Sequence, residues 1–221
     1  MKTKRKALLL TFCAVLLVVA SVLGTIAYLT SQDEVKNTFT VGQVAIKLDE
    51  AKVNLDGTLV EGADRVKENS YKLLPGHTYT KDPTVTVLKG SESSYIKMTV
   101  TFTMANTMAN ELDAIFAPDG ADLTSIFKDY DPDNWIAKGN TNNKTANTRT
   151  YEFWYKDAVG APTADVALDA LFDSITVPNT INNVQLKTIA DMTITVNAYA
   201  IQADGFKTAE EAWAAFPKGT P

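Results

Sequence analysis

Cysteine and histidine are almost missing: the 221 residues contain one of each, Cys13 and His77. A lone thiol cannot close an intramolecular disulfide, so stability has to come from a packed core. A lone imidazole cannot serve both as a general base and as part of a histidine metal set. No His-Glu-x-x-His pair is present to hold zinc on a helix. The many Ser and Thr residues therefore lack a base and read as strand-face residues rather than nucleophiles. A basic excess is also missing, since 21 Lys and Arg face 26 Asp and Glu. Nucleic-acid binding draws on counterion release by clustered cations, and this composition argues against it. Nothing in the chain cradles phosphate.

What is present begins at the N-terminus. Lys2, Lys4, Arg5 and Lys6 precede an apolar run from Ala7 to about Leu23, and Thr25-Ile-Ala27 places small residues where a signal peptidase reads. Cleavage is expected after Ala27, leaving Tyr28 as the new N-terminus. An uncut membrane anchor is the alternative, because about 20 helical residues cover the hydrocarbon core. Gly24 and the Thr-Ile-Ala end suit cleavage better. Cys13 follows bulky Phe12 deep inside the run and does not form a lipobox. Residues 1–27 thus read as a signal peptide and 28–221 as a single domain, large enough for its own core. Four of the 21 basic residues leave with the signal, so 17 remain against 26 acids, a net charge of about −9 that suits an extracellular protein.

Alternation of apolar residues marks the strands. Phe39 and Val41 share one parity and Val44, Ile46 and Leu48 the other, which predicts a strand over Asn37 to Leu48 bent by a bulge at Gly42. Asp56-Gly57 between Leu55 and Leu59 predicts a small surface hairpin, and Leu74-Pro75-Gly76 a turn. A strand over Tyr79 to Leu88 contains Pro83, which implies an edge or a bulge. Ile96, Met98, Val100, Phe102 and Met104 alternate with Lys97, Thr99, Thr101 and Thr103, the pattern of a half-buried antiparallel strand. Helical spacing is expected over Met108 to Phe116 and Asp122 to Phe127, and a polar loop over Asn140 to Asn147. Tyr151, Phe153 and Tyr155 predict a strand, Ala167 to Phe172 a helical turn, and Ser174 to Val177 a short strand. Met192 to Ile201 predicts the last strand. Thr208-Ala-Glu-Glu211 opens a terminal helix as a capping box, with Ala212, Trp213 and Phe216 on its apolar face. The sum is an all-β fold, a jelly-roll-like antiparallel two-sheet sandwich with short inserted helices.

Candidate chemistry is sparse. His77 beside Gly76 reads as a turn residue. Asp129-Tyr-Asp-Pro-Asp-Asn134 resembles the opening of a calcium loop, but Asn134 stands where Gly is expected and Asn140 where Glu is needed, so a solvated acidic turn fits better. Trp135, Trp154 and Trp213 read as core residues, with a sugar platform as the alternative.

The stretch Ala27-Tyr-Leu-Thr-Ser-Gln-Asp-Glu-Val-Lys-Asn-Thr-Phe-Thr-Val-Gly42 resembles the start of the TasA/camelysin family of Gram-positive bacteria. Leu74-Pro-Gly-His-Thr-Tyr-Thr-Lys-Asp-Pro83, Tyr95-Ile-Lys-Met-Thr-Val100 and Asn197-Ala-Tyr-Ala-Ile-Gln-Ala-Asp-Gly-Phe206 support the resemblance. It implies a precursor cut by a SipW-type signal peptidase, with the membrane involved only at the precursor stage. It also implies a jelly-roll fold and a secreted structural protein of the biofilm matrix that polymerises head to tail with itself, alongside other matrix components. In that family the freed N-terminal segment completes the sheet of the next subunit. Here that arm is Tyr28 to Val41, extended, with Tyr28, Leu29, Val35, Phe39 and Val41 filling pockets. A monomeric surface adhesin is the alternative, and a metallopeptidase, suggested by the camelysin name, is a further one without a zinc motif to support it. No cofactor and no catalytic residue are expected.

Overall fold

The computed structural model describes residues 2–29, 42–104, 126–189 and 191–217. The chain divides into two compact units, Met1–Val41 and Gly42–Pro221. The first contains helix α1, Lys2–Leu29. Its residues from Leu8 to Val19 expose their large apolar side chains by 47% to 75%. A helix apolar on every side is stable only against another apolar phase. Among the described residues, no helix is long and apolar enough to cross a membrane.

The second unit is all-β, with antiparallel pairing throughout its described sheets and, among the described residues, two short helices. Its elements are β1 (Ile46–Asp49), β2 (Thr78–Thr80), β3 (Thr84–Val87), β4 (Ser94–Thr103), β5 (Phe127–Lys128), β6 (Trp135–Asn143), β7 (Thr148–Tyr155), β8 (Val166–Ala167), β9 (Ser174–Thr176), α2 (Asn183–Thr188), β10 (Thr193–Gln202) and α3 (Ala209–Ala215). The strands form a four-stranded sheet in the order β10-β4-β7-β6 and two three-stranded sheets, β1-β3-β8 and β2-β9-β5.

The core follows from β4, where burial alternates at every residue. Ile96, Met98, Val100 and Phe102 are sealed from solvent, while the Thr and Lys side chains between them are half-buried. Alternation of this kind fixes register, because a one-residue slip would turn the whole apolar set to the other face. Phe127 on β5 fills the centre. Its ring lies 4.7 Å from that of Phe172, 5.4 Å from Tyr151, 5.8 Å from Phe153 and 5.9 Å from Phe102, mostly at tilted or edge geometries that suit aromatic quadrupoles.

Several expectations need correction. The first strand starts at Ile46, and Gly42 to Ala45 are not part of it. They still pair loosely with the 88–92 segment, since Leu88 N donates to Ala45 O and Glu92 N to Gln43 O. A Cβ at Gly42 would stand 2.8 Å from the exposed Glu92 side chain, which would have to swing aside. The part of that strand before Gly42 lies outside the described residues. The expected Tyr79 to Leu88 strand is two strands in different sheets, because Pro83 cannot donate a ladder hydrogen bond and the chain changes sheet over Lys81-Asp82-Pro83. Phe127 is in β5 rather than a helix, and the rest of the two helices expected between Met108 and Phe127 lies outside the described residues apart from Ile126.

Asn140 to Asn143 belong to β6, so only Lys144 to Asn147 turn. β6 is an edge strand with polar, exposed side chains, held by its backbone pairing to β7 and therefore silent in the apolar pattern. Ala167 to Phe172 form no helical turn. Val166–Ala167 pair with β3, and Leu168 N and Leu171 N continue along it by donating to Val85 O and Pro83 O. α2 was not expected at all, although Asn182 and Gln185 form a reciprocal capping box at its start. At α3, Thr208 accepts from Glu211 N as expected, but Glu211 accepts from Lys207 N, one residue earlier than a capping box requires.

Candidate functional site

Of the residues singled out for cleavage and assembly, Thr25, Ala27, Tyr28 and Leu29 all lie in α1. Tyr28 and Leu29 are thus helical where the N-terminal segment is attached. Val35, Phe39 and Val41 lie outside the described residues.

An arm of this kind needs an acceptor edge, and the four-stranded sheet has two. β6 is guarded: Lys138 projects from it, and a register shift between Ala137 and Gly139 breaks its pairing. β10 is different. It is 10 residues long, pairs with β4 in unbroken register from Thr193↔Thr103 to Gln202↔Ser94, and contains no charged residue and no proline. Natural edges are usually blunted by charge, proline, bulges or brevity. Among the described residues, no backbone bond joins β10 to a second strand. Ala203 N donates to Ser93 O across the end of the pair. Since inward and outward groups alternate along an antiparallel strand, the odd-numbered residues of β10 bond to β4. Ile194, Val196, Ala198 and Ala200 then turn their N–H and C=O groups outward.

The end of β10 is covered by α3. The Lys97 ammonium lies 4.6 Å from the Trp213 ring centre, 5.4 Å from Phe216 and 5.5 Å from Tyr199, an aromatic cage that ties the helix to β4 and β10. This covering explains the half-burial of Tyr199 and Ile201 on the second face.

A second concentration of polar groups is buried where the 49–71 segment crosses the domain. Lys81 and Glu50 are each 7% exposed, and their charged ends meet at 2.6 Å. Glu50 Oε1 accepts from Asn69 Nδ2 at 3.0 Å; Nδ2 also donates to Ala51 O at 2.8 Å, while Asn69 Oδ1 accepts from Val53 N at 3.1 Å. Alongside, Arg65 bridges Asp49 at 2.5 Å and Asp82 at 2.7 Å, and Lys47 reaches Asp49 at 2.6 Å. Burial alone would raise the Asp49 carboxyl, but hydrogen bonds from Lys47 and Arg65 and their charges hold it below its ordinary value. Burial, reinforced by the Glu50 charge, pushes the Tyr71 phenol well above its ordinary range.

The remaining candidates are structural. His77 is exposed beside the turn at Gly76, whose φ of 78° suits glycine. In the acidic turn, both Asp131 oxygens are taken up by Asp133 N, Asn134 N and Asn134 Nδ2. Among the described residues no group of three or more His, Cys, Asp or Glu side chains converges to hold a metal ion. Trp135 is sealed in the core and donates to Asp169 O. Trp154 is partly open, with Lys138 4.1 Å above its ring, in a cleft of about 320 Å3 that also has Tyr95, Lys156 and Lys207 in its wall. The β10 edge and the buried Lys81–Glu50–Asn69 group escaped the sequence reading. The first was signalled by the uncharged strand itself; the second had no local signal, since its members are 12 to 31 positions apart. No family model matches the chain, and neither the curated proteins nor the solved structures give a match.

Proposed function

We propose that this chain is a secreted structural protein of an extracellular matrix, cut after Ala27 by a SipW-type signal peptidase and assembled head to tail. The freed arm, Tyr28 to Val41, adds to the outward edge of β10 in the next copy. One observation carries this reading: a strand of 10 residues with neither charge nor proline lies at the edge of the main sheet. Such an edge pairs readily with an incoming strand, and a head-to-tail contact of this kind does not close, so it propagates as a filament. The three antiparallel sheets are read as parts of a jelly-roll-like sandwich, in keeping with the TasA/camelysin resemblance.

In the uncut chain Tyr28 and Leu29 are part of α1. Cleavage would remove the helix on their N-terminal side and leave too little chain for an isolated helix to persist. Protein starting at Tyr28 is expected to form fibres, and protein lacking Tyr28 to Asn37 to stay monomeric. Equal polymerisation of both in electron micrographs would end the reading. The partly open Trp154 and its cleft support a second one, a monomeric adhesin. A stable monomer at high concentration in size-exclusion chromatography would favour it.

A further inference from the structure

The chain is without a disulfide, yet it holds a buried nucleophile and a buried proton carrier in one hydrogen-bonded row with the half-buried carboxamide of Asn69. Lys81 Nζ meets Glu50 Oε2 at 2.6 Å, and Glu50 Oε1 accepts from Asn69 Nδ2 at 3.0 Å. We propose that Lys81 and Asn69 join in an intramolecular amide crosslink, with Glu50 transferring the protons.

The orientation of the Asn69 amide is fixed by partners that cannot be exchanged. Ala51 O can only accept and Val53 N can only donate, so Nδ2 faces the first and Oδ1 the second. The leaving nitrogen is therefore the one beside Glu50. The carbonyl oxygen points at a backbone N–H, where negative charge develops as the carbon becomes tetrahedral. Glu50 touches both partners, one carboxylate oxygen on the lysine nitrogen and the other on the amide nitrogen, so a single side chain is placed to carry a proton from one to the other.

The step balances without an oxidant. The Lys81 ammonium gives a proton to Glu50, and the free amine attacks Cγ of Asn69. A C–N bond forms to Nζ, and the bond to Nδ2 breaks as Glu50 returns the proton to it. The proton remaining on Nζ passes through Glu50 to the departing ammonia, which leaves as ammonium. The net change is one lysine ammonium and one carboxamide converted to one secondary amide and one ammonium ion. Asn69 also lines a surface depression of about 470 Å3 with Lys52 and Glu68, which offers the product a way out. The crosslink would fasten the 49–71 segment to the Lys81-Asp82-Pro83 crossing between sheets, the role that a disulfide has in other exported proteins.

The proposal does not depend on fibre formation and is tested on the full chain purified from cells. Intact mass is expected to be lower than the sequence mass by one ammonia. Tryptic digestion should give a branched peptide joining Lys81 to the peptide containing Asn69, with no cleavage after Lys81. Lys81→Arg, Asn69→Ala and Glu50→Gln should each restore the loss-free mass expected for the substituted chain and remove the branched peptide. A wild-type mass equal to the sequence mass, with normal cleavage after Lys81, would overturn the proposal whether or not the variants fold. Ammonia loss without a branched peptide would also overturn it, since a succinimide at asparagine gives the same mass.

Discussion

If the outer edge of β10 receives the arm, a substitution that blocks this edge and spares the inner ladder should abolish assembly without unfolding the domain. Ala198→Pro is such a change. Ala198 is paired with Met98, and the odd-even alternation set by Ala203 and Ser93 places its N–H on the outer side. Proline there removes one outward donor and fills its place with a ring, while the bonds of Asn197 and Tyr199 to β4 remain. An arm carbonyl left without a donor loses roughly 1–3 kcal/mol. Since 1.4 kcal/mol is a factor of ten, the critical concentration for fibre formation should rise about tenfold to a hundredfold. The assay is sedimentation of mature protein over a concentration series, with thermal melting by circular dichroism as the check on folding. Asn197→Pro is the contrast: its N–H serves β4, so it should lower the melting temperature as well. A folded Ala198→Pro protein that assembles at the wild-type concentration would refute β10 as the acceptor.

Other substitutions test the packing and the charges. Phe127→Ala removes the ring shared by four aromatic neighbours and should destabilise the domain by about 3–5 kcal/mol in denaturant titrations; a loss below about 1 kcal/mol would mean that the ring is not the centre of the core. Asp49 is held below its ordinary value, so its contribution to stability is complete above the unfolded pKa of about 3.9 and is lost as pH falls through the lower folded value. Arg65→Leu should therefore flatten the acid side of the stability–pH curve, with a modest effect because Arg65 is 37% exposed; an unchanged acid slope would contradict the pairing. Lys97→Met keeps the stem and removes the charge from the aromatic cage. It should weaken the docking of α3 by about 0.5–2 kcal/mol, seen as faster amide hydrogen exchange at Ala212 and Trp213.

The sequence was most legible where one face of a strand is dry. β4, β7 and β10 announce themselves through Met98 and Val100, Tyr151 and Phe153, Ile194 and Val196, because a buried face imposes a period of two on the apolar residues. β6 gives no such signal, since beyond Trp135 its side chains are nearly all in water and its place is set by hydrogen bonds to β7. Pro83 signals an edge or a bulge within one strand, not that the chain leaves one sheet for another, which depends on pairing with β8 and β9 far along the sequence. The α2 cap was legible in Asn182-x-x-Gln185, ahead of an exposed helix with little apolar face to draw attention to it. Glu50, Asn69 and Lys81 resemble ordinary surface residues in the sequence, and only the tertiary fold shows that two of them are sealed from water.

The way the β domain begins bears on how it would respond to tension. From Gln43 to Asp49 the chain lies alongside the 84–92 segment, joined first by the bonds of Ala45 and Gln43 and then by four paired positions from Ile46↔Val87 to Asp49↔Thr84. A pull on Gly42 along the strand axis would load these bonds side by side, in shear, instead of opening them one after another like a zipper. Ser91 adds a clasp at the entrance, because its hydroxyl both accepts from Ala45 N and donates to Ala45 O. The first few residues of the domain are thus arranged as a mechanical grip on whatever is attached in front of them.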